Sequence, residues 1–358
     1  MNEAVKSALM KKIAAVNKQS STSKPYREAV VRLIQEVVPF DAYCFTTIDP
    51  RTLLSTGAVA ESGVEKMHHS LFINEYQTED FNKYAKMIHD NDVALVLSTV
   101  TEGRLHLSSR YKNILQPSGY EDELRAVLMV DGTCWGYLTL FRHTGCSWFT
   151  KEDCTLIKEI VPEMARALRN YYLNVPSSAP EGIDTDPGIL VLSSELEVKW
   201  NNPSAERWIR RLREAGELGE GVLPHPIRAV STSIQQANGE SEVSSSKFRT
   251  CVSLPGGVYL SIQASLLTNE TDEQQIAVWF EHAPLQDLLP VMIQSYGLTS
   301  RETEVLELVL QGKSTKDAAD SLYISVYTFQ DHLKSIFLKT GMKSRRELLQ
   351  QFVGRFRK

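Results

Sequence analysis

Long apolar runs are missing from this chain of 358 residues. No stretch approaches the roughly twenty consecutive apolar positions that a membrane-spanning helix needs. The opening Met-Asn-Glu-Ala-Val-Lys also lacks the basic-then-apolar profile of a secretory leader, so a cytoplasmic protein without a membrane partner is expected. Cysteines are few and odd in number: five, at Cys44, Cys134, Cys146, Cys154 and Cys251. They form no CxxC pair, which leaves neither a disulfide framework nor a thiolate metal motif; most read as small buried hydrophobes, with redox sensing as the alternative. Catalytic motifs are absent as well. There is no Gly-x-Ser-x-Gly elbow. Gly312-Lys313-Ser314 imitates the end of a phosphate-binding loop, but Glu307 stands where that loop needs its first glycine. The acids and lysine of a phospho-acceptor domain are not apparent. His68 and His69 follow Glu65, yet adjacent histidines on a helix point to different faces, so no metal site is expected. The chain is read as a non-enzyme, and no cofactor is required by its sequence.

What is present is concentrated at the carboxy-terminal end. From Leu298 the chain reads Leu-Thr-Ser-Arg-Glu-Thr-Glu-Val-Leu, and the capping residues from there onward predict several short helices. Thr299 with Glu302, Ser314 with Asp317, and Ser344 with Glu347 have the spacing at which a hydroxyl caps a backbone amide and an acid three residues on answers it. Ser325 caps the remaining helix alone. Val305, Leu306 and Val309 recur at helical intervals, and Ala318, Ala319 and Leu322 continue that apolar face. Small alanines let the second helix approach the third, to which Ile324, Phe329, Ile336 and Phe337 supply core. Tyr327, Gln330, Asp331 and Lys334 are left outward, toward the start and middle of the third helix, where a helix lying in a major groove meets base edges.

The pattern Leu298-Thr299-x-Arg301-Glu302, Gly312-x-Ser314-x-Lys316-x-x-Ala319, Ile324-Ser325-x-x-Thr328-x-x-x-His332 and Ser344-Arg345 resembles the LuxR-type DNA-binding domain of bacterial transcription regulators over residues 298–353. The resemblance implies that the third helix reads double-stranded DNA. Ser325, Val326, Tyr327 and Thr328 would lie at its start, Gln330, Asp331 and Lys334 beyond them, and Thr315 and Lys316 on the helix before. It also implies that the fourth helix, residues 344–352, pairs two subunits through Ser344, Glu347, Leu348 and Phe352. The departures carry an expectation too. Phe329 and Gln330 stand where the family has Val-Lys, so one cation is lost, and Asp331 adds a carboxylate beside the phosphates. The electrostatic part of binding should be weaker for it, while Gln330 remains able to read an adenine edge. Thr340 and Met342 replace Leu and Val and are read as packing changes.

Charge agrees with this division. Residues 298–358 hold 11 Lys and Arg against 7 Asp and Glu, a net of +4, whereas the whole chain is at −5, leaving −9 upstream. A seam at residues 174–187 has the Pro, Ser and Gly content of a linker. A softer one falls at residues 282–290, ahead of an apolar helical run.

Upstream of the linker, amphipathic helices at residues 5–16 and 26–38 precede a strand at 42–48. A hairpin follows, with strands at 125–131 and 134–142 about Asp131-Gly132. Thr150 and Asp153 cap a long final helix. The segment Gly136-Tyr137-Leu138-Thr139-Leu140-Phe141-Arg142, with Phe149, Asp153 and that closing helix, resembles a GAF domain over residues 20–172. A small molecule held between the sheet and its covering loops is what this resemblance implies. Arg142-His143 and Cys154 depart from the cyclic-nucleotide signature of some GAF domains, so that ligand is not expected. In the middle region, strands at 189–192 and around Val198-Lys199-Trp200 lead to Asn202-Pro203, a cap followed by proline at the first helical position. Strands at 247–254, 258–267 and 274–281 come after the helices, the first two joined at Gly256-Gly257. Strand pair, helices and three strands are similar to a PAS domain. Trp200, Trp208 and Trp279 either line a pocket there or, as aromatics at such spacings usually do, fill the core.

The expected fold is therefore multidomain: an α+β GAF-like sensor (1–173), a linker (174–187), an α+β PAS-like domain (188–283), a connecting helix (284–297) and an all-α helix-turn-helix domain (298–358). The expected function is a one-component transcription regulator. It would bind a palindromic site as a homodimer, respond to a small-molecule or protein signal, and contact RNA polymerase as a further partner. The alternative is an adaptor whose degenerate helix-turn-helix contacts polymerase or another regulator.

Overall fold

The computed structural model of the protein describes residues 3–173, 186–236, 248–268 and 274–352. The expected linker lies outside the described residues over 174–185, as does Lys247, where a strand was expected to begin.

The first unit opens with helices α1 (Glu3–Gln19) and α2 (Ser23–Gln35), then strands β1 (Ala42–Ile48) and β2 (Ser55–Ala60). Helices α3 (Ser62–Gln77) and α4 (Tyr84–Asp90), strand β3 (Ala94–Val96) and the short α5 (Leu97–Val100) follow. After a run of single turns come β4 (Tyr120–Val130), β5 (Thr133–His143) and α6 (Lys151–Leu173). The five strands form one antiparallel sheet in the order β2-β1-β5-β4-β3. The β4–β5 turn sits where the sequence places it, because Asp131 and Gly132 both take positive φ, 50° and 75°, which matches the twist of a two-residue hairpin. Both faces of the sheet are covered, so its strands alternate between two apolar environments. Leu138 and Leu140 of β5 join the core beneath α1, α2 and α6, while Tyr137 and Phe141 pack under α3 and α4. Thr150 and Asp153 do cap α6: each side chain accepts from the other's backbone amide, at 3.1 and 2.9 Å.

The second unit repeats this topology. β6 (Gly188–Ser193) and β7 (Val198–Asn201) precede α7 (Pro203–Gly216) and α8 (His225–Gln236), and β8 (Arg249–Leu254), β9 (Val258–Thr268) and β10 (Gln274–His282) complete a sheet ordered β7-β6-β10-β9-β8. The Asn202 side chain accepts from Ala205 N at 2.9 Å and starts α7 with Pro203 in place. Only Trp208 of the three tryptophans is core. Trp200 is 70% exposed and Trp279 40%, on the two strands flanking β6, so neither fills the interior.

Helix α9 (Leu285–Ser295) then returns to pack on α6 and leads into α10 (Ser300–Leu310), α11 (Thr315–Ser321), α12 (Val326–Thr340) and α13 (Arg345–Phe352). Leu288, Val291 and Met292 of α9 lie in one continuous core with Ile157 and Ile160 of α6 on one side and Val305, Leu306 and Val309 of α10 on the other. Each fully buried side chain of that size contributes about 1.5–3 kcal/mol, so the carboxy-terminal helices are anchored to the first unit through α9. Among the described residues, no helix is long and apolar enough to cross a membrane.

Candidate nucleic-acid interface and buried cavity

The carboxy-terminal helices are set by their ends. Thr299 and Glu302 form a full capping box, with Thr299 Oγ1 accepting from Glu302 N at 3.3 Å and Glu302 Oε2 accepting from Thr299 N at 2.7 Å. The other two expected boxes are half made. Ser314 and Ser344 cap their amides at 3.2 Å, but Asp317 takes the Ser314 hydroxyl and Glu347 takes Lys343 N. Ser325 accepts from Thr328 N at 3.0 Å and opens α12. Gly312 and Tyr323, both at positive φ (80° and 54°), turn the chain between α10, α11 and α12. Glycine takes this conformation freely, whereas Tyr323 pays steric strain for it.

Glu302 does more than cap. Its carboxylate also accepts from Ser335 Oγ at 2.6 Å and from Lys339 Nζ at 2.7 Å, which ties α12 to the start of α10. Burial would raise this carboxyl, but Lys339, Ser335 and Thr299 outweigh it and hold the group down to about 2. Arg301 reaches Leu322 O at 2.7 Å, and Arg345 of α13 donates to Lys313 O. These contacts fix the angle at which α12 is presented.

On α12, Phe329 and Ile336 are buried, and Ser325, Val326, Tyr327, Thr328, Gln330, Asp331 and Lys334 are exposed. Tyr327 is 71% exposed, and Lys334 lies 5.9 Å from its ring and 3.2 Å from the Asp331 carboxylate. Lys316 is exposed on α11, and Thr315 is half-buried within 3.4 Å of Arg345 Nη1. The pairing residues need a correction. Leu348 and Phe352 are fully buried in their own chain, Phe352 with its ring 5.6 Å from that of Tyr296, so their surface is not available to a second subunit. Of the expected set Glu347 is exposed and Ser344 half-buried, and Arg346 and Gln350 are exposed on the same helix.

A second site lies in the first unit, between its sheet and α3 with α4. This small cavity is walled by Thr46, Glu75, Tyr76, Tyr84, Arg125 and Thr139, with Cys44, Arg110, His68 and His225 also on it. Arg125 is buried, ion-paired with Glu75, donates to Asn82 O at 2.8 Å and stacks 3.8 Å over the Tyr84 ring. Arg110 pairs with buried Glu123 at 2.9 Å. Arg125 Nε has no protein partner among the described residues. Charged groups held this far from water are found where they are paired or where they meet a ligand.

One participant was not legible in the sequence. His225, at the start of α8 in the second unit, lies 3.4 Å from Glu65 of α3, whose other neighbours are His68 at 2.8 Å and Arg228 at 2.7 Å. In the sequence only His68 and His69 stand close to Glu65; in the fold His68 is buried and His69 is exposed on the other side of α3. Burial holds the His225 imidazole below its ordinary value. Burial opposes charge on His68 too, but Cys44 and Glu65 outweigh it and raise that group.

Residues 296–352 match the family described as bacterial regulatory proteins, luxR family. Over 56 residues the chain is 39% identical to the spore germination protein GerE of Bacillus subtilis (strain 168), covering 16% of this chain and 76% of GerE. The chain belongs to the LuxR family. Its carboxy-terminal helices are the DNA-binding unit of that family of regulators. It is also 40% identical over 53 residues to the oxygen regulatory protein NreC of Staphylococcus aureus (strain JH9), covering 15% of this chain and 24% of NreC. The match thus spans about a quarter of that relative's length. Among solved structures, Escherichia coli SdiA is 10% identical with a TM-score of 0.32, covering 98% of this chain and 99% of that one. The GAF domain of an Acinetobacter phosphoenolpyruvate-protein phosphotransferase is 10% identical with a TM-score of 0.33, covering 49% of this chain and 99% of that one.

Proposed function

We propose that this LuxR-family chain is a cytoplasmic one-component transcription regulator, not an enzyme, that binds a palindromic promoter site as a homodimer. The observation that carries the reading is the outer face of α12, where Tyr327, Gln330, Asp331 and Lys334 project from a helix held by Glu302. In this mode Ser325, Val326 and Thr328 lie at the end of α12 that enters the groove, and Thr315 and Lys316 approach the backbone from α11. Arg346, Glu347 and Gln350 of α13 are the surface left for a second subunit.

The signal is a small polar molecule in the cavity under α3 and α4. The buried Arg125 and Arg110, with their acids, supply the donors and acceptors to fix its orientation. In this reading the chain divides into a GAF-like unit (1–173), a PAS-like unit (188–283) and a helix-turn-helix unit (298–358). For the PAS-like assignment the support is the strand order β7-β6-β10-β9-β8, with two helices inserted after the second strand. Occupancy of the cavity would act on α12 through the sheet that separates the cavity from α6, and from α6 through α9, which shares one core with α6 and α10.

Footprinting of the full chain on the DNA upstream of its own gene tests the reading. A protected twofold segment with half-sites about one helical turn, or ten base pairs, apart is expected. A second reading has its own observation: Asp331 neutralises Lys334, the most central cation of the surface. If no segment is protected, the helix-turn-helix is an adaptor that docks on RNA polymerase or another regulator.

A further inference from the structure

The two units meet where α8 crosses α3 and β2, and the chemistry gathered there is not used by the reading above. Glu65 and His68 come from α3, His225 from the first position of α8, and the ligand atoms of all three lie within 4.8 Å of one another. Both histidines are buried to 3% exposure. We propose that Glu65, His68 and His225 form a binding site for a divalent transition-metal ion of the Zn²⁺ class, one that clamps the second unit onto the first.

Three observations carry this. The first is spacing. Glu65 Oε2 stands 2.8 Å from His68 Nδ1 and 3.4 Å from His225 Nε2, close to the separation of about 3.3 Å between two ligands that each lie about 2.0 Å from a tetrahedral ion. The second is alignment. Despite those short distances, neither His68 Nδ1 nor His225 Nε2 makes an aligned hydrogen bond among the described residues. Atoms gathered about a common point, and not along N–H···O lines, are what a shared ion requires. The third is the outer shell. The second Glu65 oxygen accepts from Arg228 Nη2 at 2.7 Å, and the far nitrogen of His68 lies 3.5 Å from Cys44 Sγ. Ligands held from behind in this way keep their orientation and bind more tightly. Two imidazoles and one carboxylate select first-row transition ions over Mg²⁺ and Ca²⁺, which prefer oxygen shells.

His68 and His225 also line the sensor cavity, so an ion between them forms part of its wall. The site does not depend on a ligand entering there, nor on DNA binding.

The test uses the full-length protein, stripped with a chelator and then titrated with Co²⁺ and, separately, Zn²⁺. Co²⁺ is expected to give the visible absorption of a low-coordinate site at one ion per chain, and Zn²⁺ to displace it. His225→Ala and Glu65→Gln should weaken binding at least about tenfold, while His69→Ala, on the outer side of the same helix, should leave it intact. His225→Cys exchanges one ligand for another. It should retain the ion and add a thiolate-to-cobalt band, which keeps the test open if the alanine variant does not fold. Absence of saturable binding, or binding that survives His225→Ala unchanged, or a His225→Cys protein without the new band, would each overturn the proposal.

Discussion

Asp331 and Lys334 stand one turn apart on the outer face of α12, and their ion pair decides how much charge the helix offers to a phosphate. An exposed pair of this kind adds little to stability, so its effect falls on binding. Asp331→Asn frees Lys334 and is expected to raise DNA affinity and steepen the salt dependence by about one unit of log K against log salt. Lys334→Ala should do the reverse, or relax preference at one base if that side chain reads an edge. Fluorescence anisotropy at several salt concentrations measures both, and identical isotherms for all three proteins would remove these residues from the interface. Glu302 acts on stability instead. Its folded value lies below its ordinary 4.5, so its contribution is complete above about 4.5 and is lost as the pH falls toward about 2. Glu302→Gln is therefore expected to cost about 2 kcal/mol at neutral pH, the scale of hydrogen bonds to a charged group. The gap in thermal unfolding between it and the parent should narrow in acid.

At the scale of elements, the helix caps, the Asp131-Gly132 hairpin and the start of α7 at Asn202-Pro203 were readable because each depends on two or three neighbouring residues. Burial on α13 was not. Leu348 and Phe352 are spaced for one apolar face whether that face meets α10 or another chain, and periodicity cannot choose between the two. The same ambiguity hid the outward placement of Trp200 and Trp279, because alternation along a strand fixes which residues share a face but not which face is covered. His225 was beyond reach for a different reason: it meets Glu65 across 160 residues, and a contact between two units leaves no period in either. The inward placement of Leu348 has a consequence of its own. Leu348→Ala should cost about 2–5 kcal/mol and lower the melting temperature of the carboxy-terminal helices as a core truncation does. If sedimentation showed the subunits separating while thermal unfolding stayed unchanged, α13 would have to be reassigned as an interface helix through that residue.

For the whole molecule, the same five-stranded topology is used twice, and among the described residues only the first sheet is covered on both faces by its own unit. The second unit lies across α3 and β2 of the first, and α9 carries the core of the first unit into the DNA-binding helices. A change in the packing of α6 therefore has a physical route to α12 through α9, which is what coupling between two sites requires. That coupling matters only if α12 distinguishes one sequence from another. The most direct measurement is the affinity of the full chain for the duplex upstream of its own gene and for a scrambled duplex of equal length, each at two salt concentrations. Base readout by α12 predicts that both affinities fall with salt while their ratio persists or grows. Affinities that fall together to the same value would contradict it.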